Sequence, residues 1–367
     1  MNSNLTVRQA IMWFALYQIG SAYLVLPAAI TATAKQDAWL SIPVSLGFHL
    51  LLIPLYASIA RQIQGKSFVE HLRCLFGPFL GGTISIVFIF FFPFLVFIMT
   101  LRNLGDFITI AIMPETPPDA IYFIMLIVIY FAVRSGPAVI GRCAEILFFF
   151  LLVLYLLVRI TLLPESNIDN VLPIFEYGLN PIVLASFNLF AFPYLEAFLY
   201  LFFAQYIPDP KKWRKTVITC ALISGGMYFF MVLQIIAVMS EGVVSNLTFP
   251  TFFINRTISS GEFLQRFEIF VAVFWFVTIF FRLALLLYVS AQGLADAFRL
   301  RSANSLLIPL ILIAMAMVHS IWPNMQFITM FFSVWPFYAM IFGIVFPIVL
   351  WLMGKVGGSL KLRKKYH

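Results

Sequence analysis

The 367-residue chain is 62% hydrophobic and only 10% charged, with a formal net charge of +8. Soluble domains carry about 25% charged residues, so a water-facing surface is excluded, as the mean hydropathy of +1.00 also implies. The basic residues lie in short segments between apolar runs, which points to membrane topology and excludes nucleic acid as the partner.

The lipid bilayer is therefore the first partner. Backbone groups in lipid must be satisfied internally, so spanning segments are helices or closed barrels. The apolar runs are long and continuous, which predicts an all-α, polytopic membrane protein. About ten spans are predicted in chain order, at roughly 10–31, 39–60, 82–101, 120–133, 139–162, 182–205, 216–238, 267–291, 305–322 and 326–352. The third can run on through Arg102 towards Ile112. The whole of 1–367 reads as one integral membrane domain, and the stretch 240–265 reads as a loop with room for a short helix. No cleavable signal peptide is expected, because the first run is too long for one and carries Gln18 in its middle.

Lys and Arg alternate between the two sides. Arg8; Arg61, Lys66 and Arg73; Arg134 and Arg142; Lys211, Lys212, Arg214 and Lys215; Arg299 and Arg301; and Lys355 with the tail from Lys361 fall on one side. Only Lys35, Arg102, Arg159, Arg256 and Arg266 fall on the other. The first set belongs in the cytoplasm, with both termini there. The basic tail is suited to anchoring at an anionic leaflet.

Two spans carry interruptions. The first reads Tyr17-Gln18-Ile19-Gly20-Ser21-Ala22-Tyr23, then Leu26-Pro27. Glycine permits unusual backbone angles and close approach, and proline removes a donor. The sixth reads Phe190-Ala191-Phe192-Pro193-Tyr194-Leu195-Glu196. Each break lies about ten residues into its span, and the two spans open two halves, about 10–162 and 182–352. Matched interruptions in two halves point to a transporter-type inverted repeat with a ligand cavity at mid-membrane. Helix N-termini there favour a carboxylate and freed carbonyls favour an ammonium, which suits a zwitterion. Gln18, Gly20, Ser21, Ala191, Phe192, Pro193 and Glu196 are the candidate ligand-binding residues. Small residues and prolines also serve plain helix packing, so that reading stands beside the functional one.

Glu196 is the most informative ionisable residue. An acid at this depth must face protein or water. It can bind a substrate ammonium, carry a proton, or pair with Arg282, the one basic residue well inside a span. Gln18 can face the cavity or bond to a neighbouring helix. Glu268 is expected to pair with Arg266 at the interface, and Glu145 to be solvated or paired with Arg142. His49 and His319 read as lone packing or interface residues. Trp13, Trp39, Trp322, Trp335 and Trp351 read mostly as an interfacial belt. Cys74, Cys143 and Cys220 lack CxxC or metal-ligand spacing. No P-loop, HExxH, GxSxG or dinucleotide turn is present, so neither an enzyme nor a cofactor is expected.

Several of these segments together carry a family resemblance. Leu5-Thr6-Val7-Arg8-Gln9 leads into the Gly20-Ser21 span ending Leu26-Pro27; span six carries Phe192-Pro193-Tyr194-Leu195-Glu196; and Gln265-Arg266-Phe267-Glu268 precedes Trp275. The chain resembles the spore germination permease-like family, the B subunits of nutrient germinant receptors. The resemblance implies a branch of the amino acid–polyamine–organocation superfamily with a LeuT-like inverted repeat. It implies binding of a small germinant, an amino acid or sugar, in the spore inner membrane, with A and C subunits as partners. By that analogy the site lies between spans one, three, six, eight and ten, and Gly20, Ser21, Phe192, Pro193 and Glu196 match the broken-helix pattern. The Gly-Ser-Ala stretch is less glycine-rich than the unwound segment of many amino-acid transporters, which leaves the substrate class open. A secondary amino-acid transporter, proton-coupled through Glu196, is the alternative function.

Overall fold

A computed structural model of the chain describes residues 5–63, 65–256, 268–322 and 325–363. Among them all regular structure is helical. Helix α1 (Val7–Ile19) is opened by Thr6, whose hydroxyl accepts from the Gln9 N–H while Gln9 Oε1 accepts from the Thr6 N–H. This reciprocal cap satisfies two otherwise orphaned donors. Gly20 and Ser21 interrupt the helix, and α2 (Ala22–Ala34) resumes it. A 3₁₀ turn (Lys35–Leu40) leads to α3 (Ser41–Ile63).

The short helix α4 (Phe68–Phe76) ends at Gly77, whose φ of +87° reverses the chain into α5 (Pro78–Ile89). A π segment (Phe90–Phe94) around Pro93 joins α5 to α6 (Leu95–Phe107), and a further π turn reaches Ile112. The third span therefore does run on to Ile112. Next come α7 (Pro118–Arg134) and α8 (Pro137–Thr161). Then α9 (Leu179–Leu189) passes through a π segment (Phe190–Tyr194) into a 3₁₀ helix (Leu195–Phe203).

Helix α10 (Pro210–Val244) is kinked at Ser240. The loop beyond it holds the short helix α11 (Pro250–Phe253), as the sequence allowed. The chain ends with α12 (Glu268–Phe298), α13 (Asn304–Met317), α14 (Met325–Met340) and α15 (Phe346–Arg363). Gln265, Arg266 and Phe267, with the expected Glu268–Arg266 pair, lie outside the described residues.

Each predicted span coincides with helix. Among the described residues, 7 helical stretches are long and apolar enough to cross a bilayer; one, Ala22–Ile63, contains the second half of the first predicted span and the whole of the second. Helix α7, with 17 residues, and Asn304–Ser320 are shorter. The centre of the bundle is formed by α1, Leu195–Phe203 and the middle of α12, whose side chains are almost all buried. Outward-facing Phe123, Phe131, Ile146 and Val153 are exposed, as lipid-facing side chains must be.

Three expectations need correction. Trp13 is a core residue, fully buried with its indole N–H donating to the Phe281 carbonyl at 3.0 Å, because α1 occupies the centre of the bundle. Glu145 pairs with Arg8 at 3.0 Å rather than with Arg142, because α1 and α8 pack together. His319 is not alone on an apolar face; its Nε2 lies 2.7 Å from Asp119.

Candidate functional site

Interrupting a helix leaves carbonyls without their i+4 donors. At the first break these are Tyr17, Gln18 and Ile19. The Tyr228 hydroxyl of α10 donates to the Gln18 and Ile19 carbonyls at 2.7 and 2.8 Å. The Tyr17 carbonyl accepts from Arg282 Nη1 at 3.3 Å. Pro27, which has no N–H, frees the Tyr23 carbonyl one turn into α2, and the Thr251 hydroxyl of α11 donates to it at 2.7 Å. Side chains from three other helices thus hold the opening in α1 and α2.

At the second break, Phe192 leaves helical geometry (φ −143°, ψ 105°) immediately before Pro193. The chain re-forms as the 3₁₀ helix, whose first turn carries Glu196. Arg282, from the middle of α12, bridges the two breaks. Its Nη2 donates to Glu196 Oε1 at 2.9 Å and lies 2.7 Å from Oε2 in an ion pair. Its Nε donates to Thr100 Oγ1 of α6 at 3.2 Å. The guanidinium lies over the rings of Tyr17 and Phe192, 4.8 and 4.7 Å from their centroids. The Tyr17 hydroxyl donates to Glu196 Oε2 at 2.7 Å.

Both members of the pair are fully buried. A buried charge is tolerated only when paired and hydrogen-bonded, and here each of the three guanidinium nitrogens donates a hydrogen bond. The cation also sits at the carbonyl end of α1, where the helix dipole is negative. Gly20 makes this approach possible: a Cβ at that position would lie 2.6 Å from Arg282 Cδ and 3.2 Å from its Cβ.

The candidate residues separate into two groups. Gly20, Phe192 and Glu196 converge on Arg282. Gln18 turns towards α10 instead, where the Ser224 hydroxyl donates to its Oε1 at 2.7 Å. Ser21, Ala191 and Pro193 are buried beside the breaks, and the Ser21 hydroxyl and the Gln18 side-chain amide N–H₂ have no partner among the described residues. Of the three roles open to Glu196, the structure places it in the ion pair with Arg282.

Tyr17, Thr100 and Tyr228 were not singled out from the sequence. Tyr17 stands one residue before Gln18, and only its reach to Glu196 makes it part of the site. Thr100 and Tyr228 look like ordinary span residues. A polar residue facing the bundle interior is a weak signal until the facing helix is known.

Two helices broken at mid-span, brought together and bridged across the bundle, define the class: a broken-helix membrane protein of the LeuT-like transporter fold. Solved structures agree. The nucleobase–cation symporter MHP1, closed with bromovinylhydantoin bound, superposes with a TM-score of 0.66 at 14% identity, over 91% of this chain and 77% of that one. A point mutant of the Eremococcus coleocola manganese transporter gives 0.64 at 13% identity, over 95% and 78%. At such identities the likeness shows the fold alone.

The family model described as "Spore germination protein" matches residues 4–328, and the chain belongs to that family. Curated relatives include spore germination protein KB of Bacillus subtilis (strain 168), 24% identical over 84% of this chain and 82% of its own length. YndE of the same organism is 27% identical over 86% and 87%, and B2 is 22% identical over 95% of each.

Proposed function

We propose that this chain is the permease-like subunit of a nutrient germinant receptor, binding a small germinant beside its two helix breaks and passing the change to A and C subunits. The observation that carries this reading is the bridge of Arg282 and Glu196 across both breaks, in a chain of the spore germination family. On this reading it is neither an enzyme nor cofactor-dependent. It lies in the spore inner membrane as about ten crossings with cytoplasmic termini, built from repeats at about 10–162 and 182–352.

The bridge suits a switch. A zwitterionic amino acid carries the same two charges, a carboxylate for Arg282 and an ammonium for Glu196 and the Tyr17 carbonyl. It can exchange partners with the internal pair without leaving a charge unmatched. A ligand shifts a two-state bundle only by its differential affinity for the two states, and separation of this pair makes the states differ electrostatically. Gln18, Gly20, Ser21, Ala191, Phe192, Pro193 and Glu196 would line the ligand position.

The test is Gly20→Leu. Its side chain would displace Arg282, so spores carrying it should lose the germinant response while the protein still inserts in the membrane. A normal response would remove the site from the first break. The transporter fold supports a second reading, a secondary amino-acid transporter. Uptake of labelled amino acids into proteoliposomes holding this chain alone decides between them: accumulation favours transport, and binding without accumulation favours the receptor.

A further inference from the structure

Arg159 stands in the last turn of α8, where the charge pattern of the sequence puts it with the few basic residues of the non-cytoplasmic side. The structure buries it: the residue is only 7% exposed. Its guanidinium lies over the Tyr155 ring, 5.6 Å from the centroid, and none of its three nitrogens has a hydrogen-bond partner among the described residues. The nearby carboxylates do not serve it. Glu165 and Asp169, in the segment that follows, are both exposed, and no ion pair involves Arg159 among the described residues. The Tyr155 hydroxyl is committed to the Met227 carbonyl at 2.7 Å.

This cation lines a cavity of about 520 Å³ between α8 and α10, with Tyr155, Leu156, Leu163, Phe230 and Gln234 among its walls. Its outer walls face lipid: Leu156, Leu163 and Phe230 are 48%, 63% and 61% exposed. Gln234 donates through Nε2 to the Arg159 backbone carbonyl at 2.7 Å, and its Oε1 has no partner among the described residues. The cavity therefore has apolar walls open to the bilayer, and just behind them lie a covered cation and a covered acceptor that have no partner among the described residues.

We propose that this groove binds one anionic phospholipid. On entry of the headgroup the Arg159 side chain would turn outward, so that the phosphodiester accepts from its guanidinium, whose planar fork matches phosphate oxygens in pairs. A headgroup hydroxyl would donate to Gln234 Oε1, and one acyl chain would lie along Leu156, Leu163 and Phe230. The place of Arg159, where the apolar run gives way to Glu165, Ser166 and Asn167, is where headgroups meet the hydrocarbon. Occupancy would tie α8 to α10, the helix whose Tyr228 caps the first break. The site does not depend on the germinant reading and can be tested without germination.

The full chain, purified in detergent, is titrated with dioleoylphosphatidylglycerol or dioleoylphosphatidylcholine. Bound lipid is counted by native mass spectrometry and thermal midpoints are followed. The expected result is one retained phosphatidylglycerol and a raised midpoint, with phosphatidylcholine at least tenfold weaker. Arg159→Gln should lose the retained lipid. Ile160→Trp, at a wall position 63% exposed, fills the groove, leaves the guanidinium intact, and should lose it too. Should Arg159→Gln fail to fold, Ile160→Trp decides. Equal retention of both lipids, or undiminished retention in the decisive variant, would overturn the proposal. So would a full midpoint shift from millimolar glycerol phosphate alone, which would mark a free-phosphate site.

Discussion

At the scale of single residues, Arg282 has the sharpest consequences. Removing one partner of a buried pair leaves an uncompensated charge and costs about 3–5 kcal/mol, whereas replacing both with apolar residues is often neutral. Glu196→Gln is therefore expected to lower the apparent unfolding midpoint in detergent sharply, and the Glu196→Leu, Arg282→Met double variant to recover most of it. If the pair also switches, the double variant regains stability without regaining the germinant response. A full response from the stable double variant would reduce the pair to a structural role. Tyr228→Phe removes only a hydroxyl, but leaves two buried carbonyls without their donor. A cost of about 1–3 kcal/mol is expected, read as a lower midpoint with unchanged expression. Gly20→Ala is a gentler form of the Gly20→Leu test: a single methyl contests the space of Arg282 Cδ.

At the scale of elements, prolines and glycines mark where helices open, and side chains from elsewhere determine what happens to the opened backbone. Pro27 and Pro193 each remove a donor, but only the Tyr23 carbonyl is seen to gain a hydroxyl partner, from Thr251 of α11. The short helix α4, outside the membrane spans, carries a pH-dependent element of its own. His71 is 5% exposed, and burial first, then the nearby Lys66 charge, push its pKa down to about 4. In the unfolded chain it titrates near 6.5, so between the two values the unfolded state binds more protons and stability falls as pH drops. Below about 4 both states are protonated and the loss stops. The full loss is up to about 3 kcal/mol at about 1.4 kcal/mol per unit. His71→Leu should flatten the midpoint-versus-pH curve between pH 7 and 4.5; an equally steep curve in the variant would place the acid sensitivity elsewhere.

At the scale of the whole molecule, orientation is the property most open to direct test. Cys74 is exposed on α4 and Cys220 is buried. In a Cys143→Ser background, Cys74 is the thiol available to a membrane-impermeant maleimide. On the proposed topology α4 is cytoplasmic, so labelling should need permeabilised vesicles. Labelling of intact right-side-out vesicles would invert the topology and transfer the Arg159 groove to the other leaflet.

The sequence by itself determined that this is a helical membrane protein, and it marked where two helices would open. Those properties are local: a long apolar run needs lipid, a glycine relaxes the backbone and a proline removes a donor, whatever surrounds them. It also brought Arg282 forward as a partner for Glu196, but as one role among three. Only the tertiary structure shows that pair formed, because its members are 86 residues apart in sequence, Tyr17 reaches Glu196 across 179, and Tyr228 reaches Gln18 across 210. It also decided that Arg159, similar in sequence to any span-end arginine, is buried without a counter-charge among the described residues. Which buried polar atoms meet depends on how helices face one another, and a largely apolar chain encodes that facing in packing shape rather than in any motif.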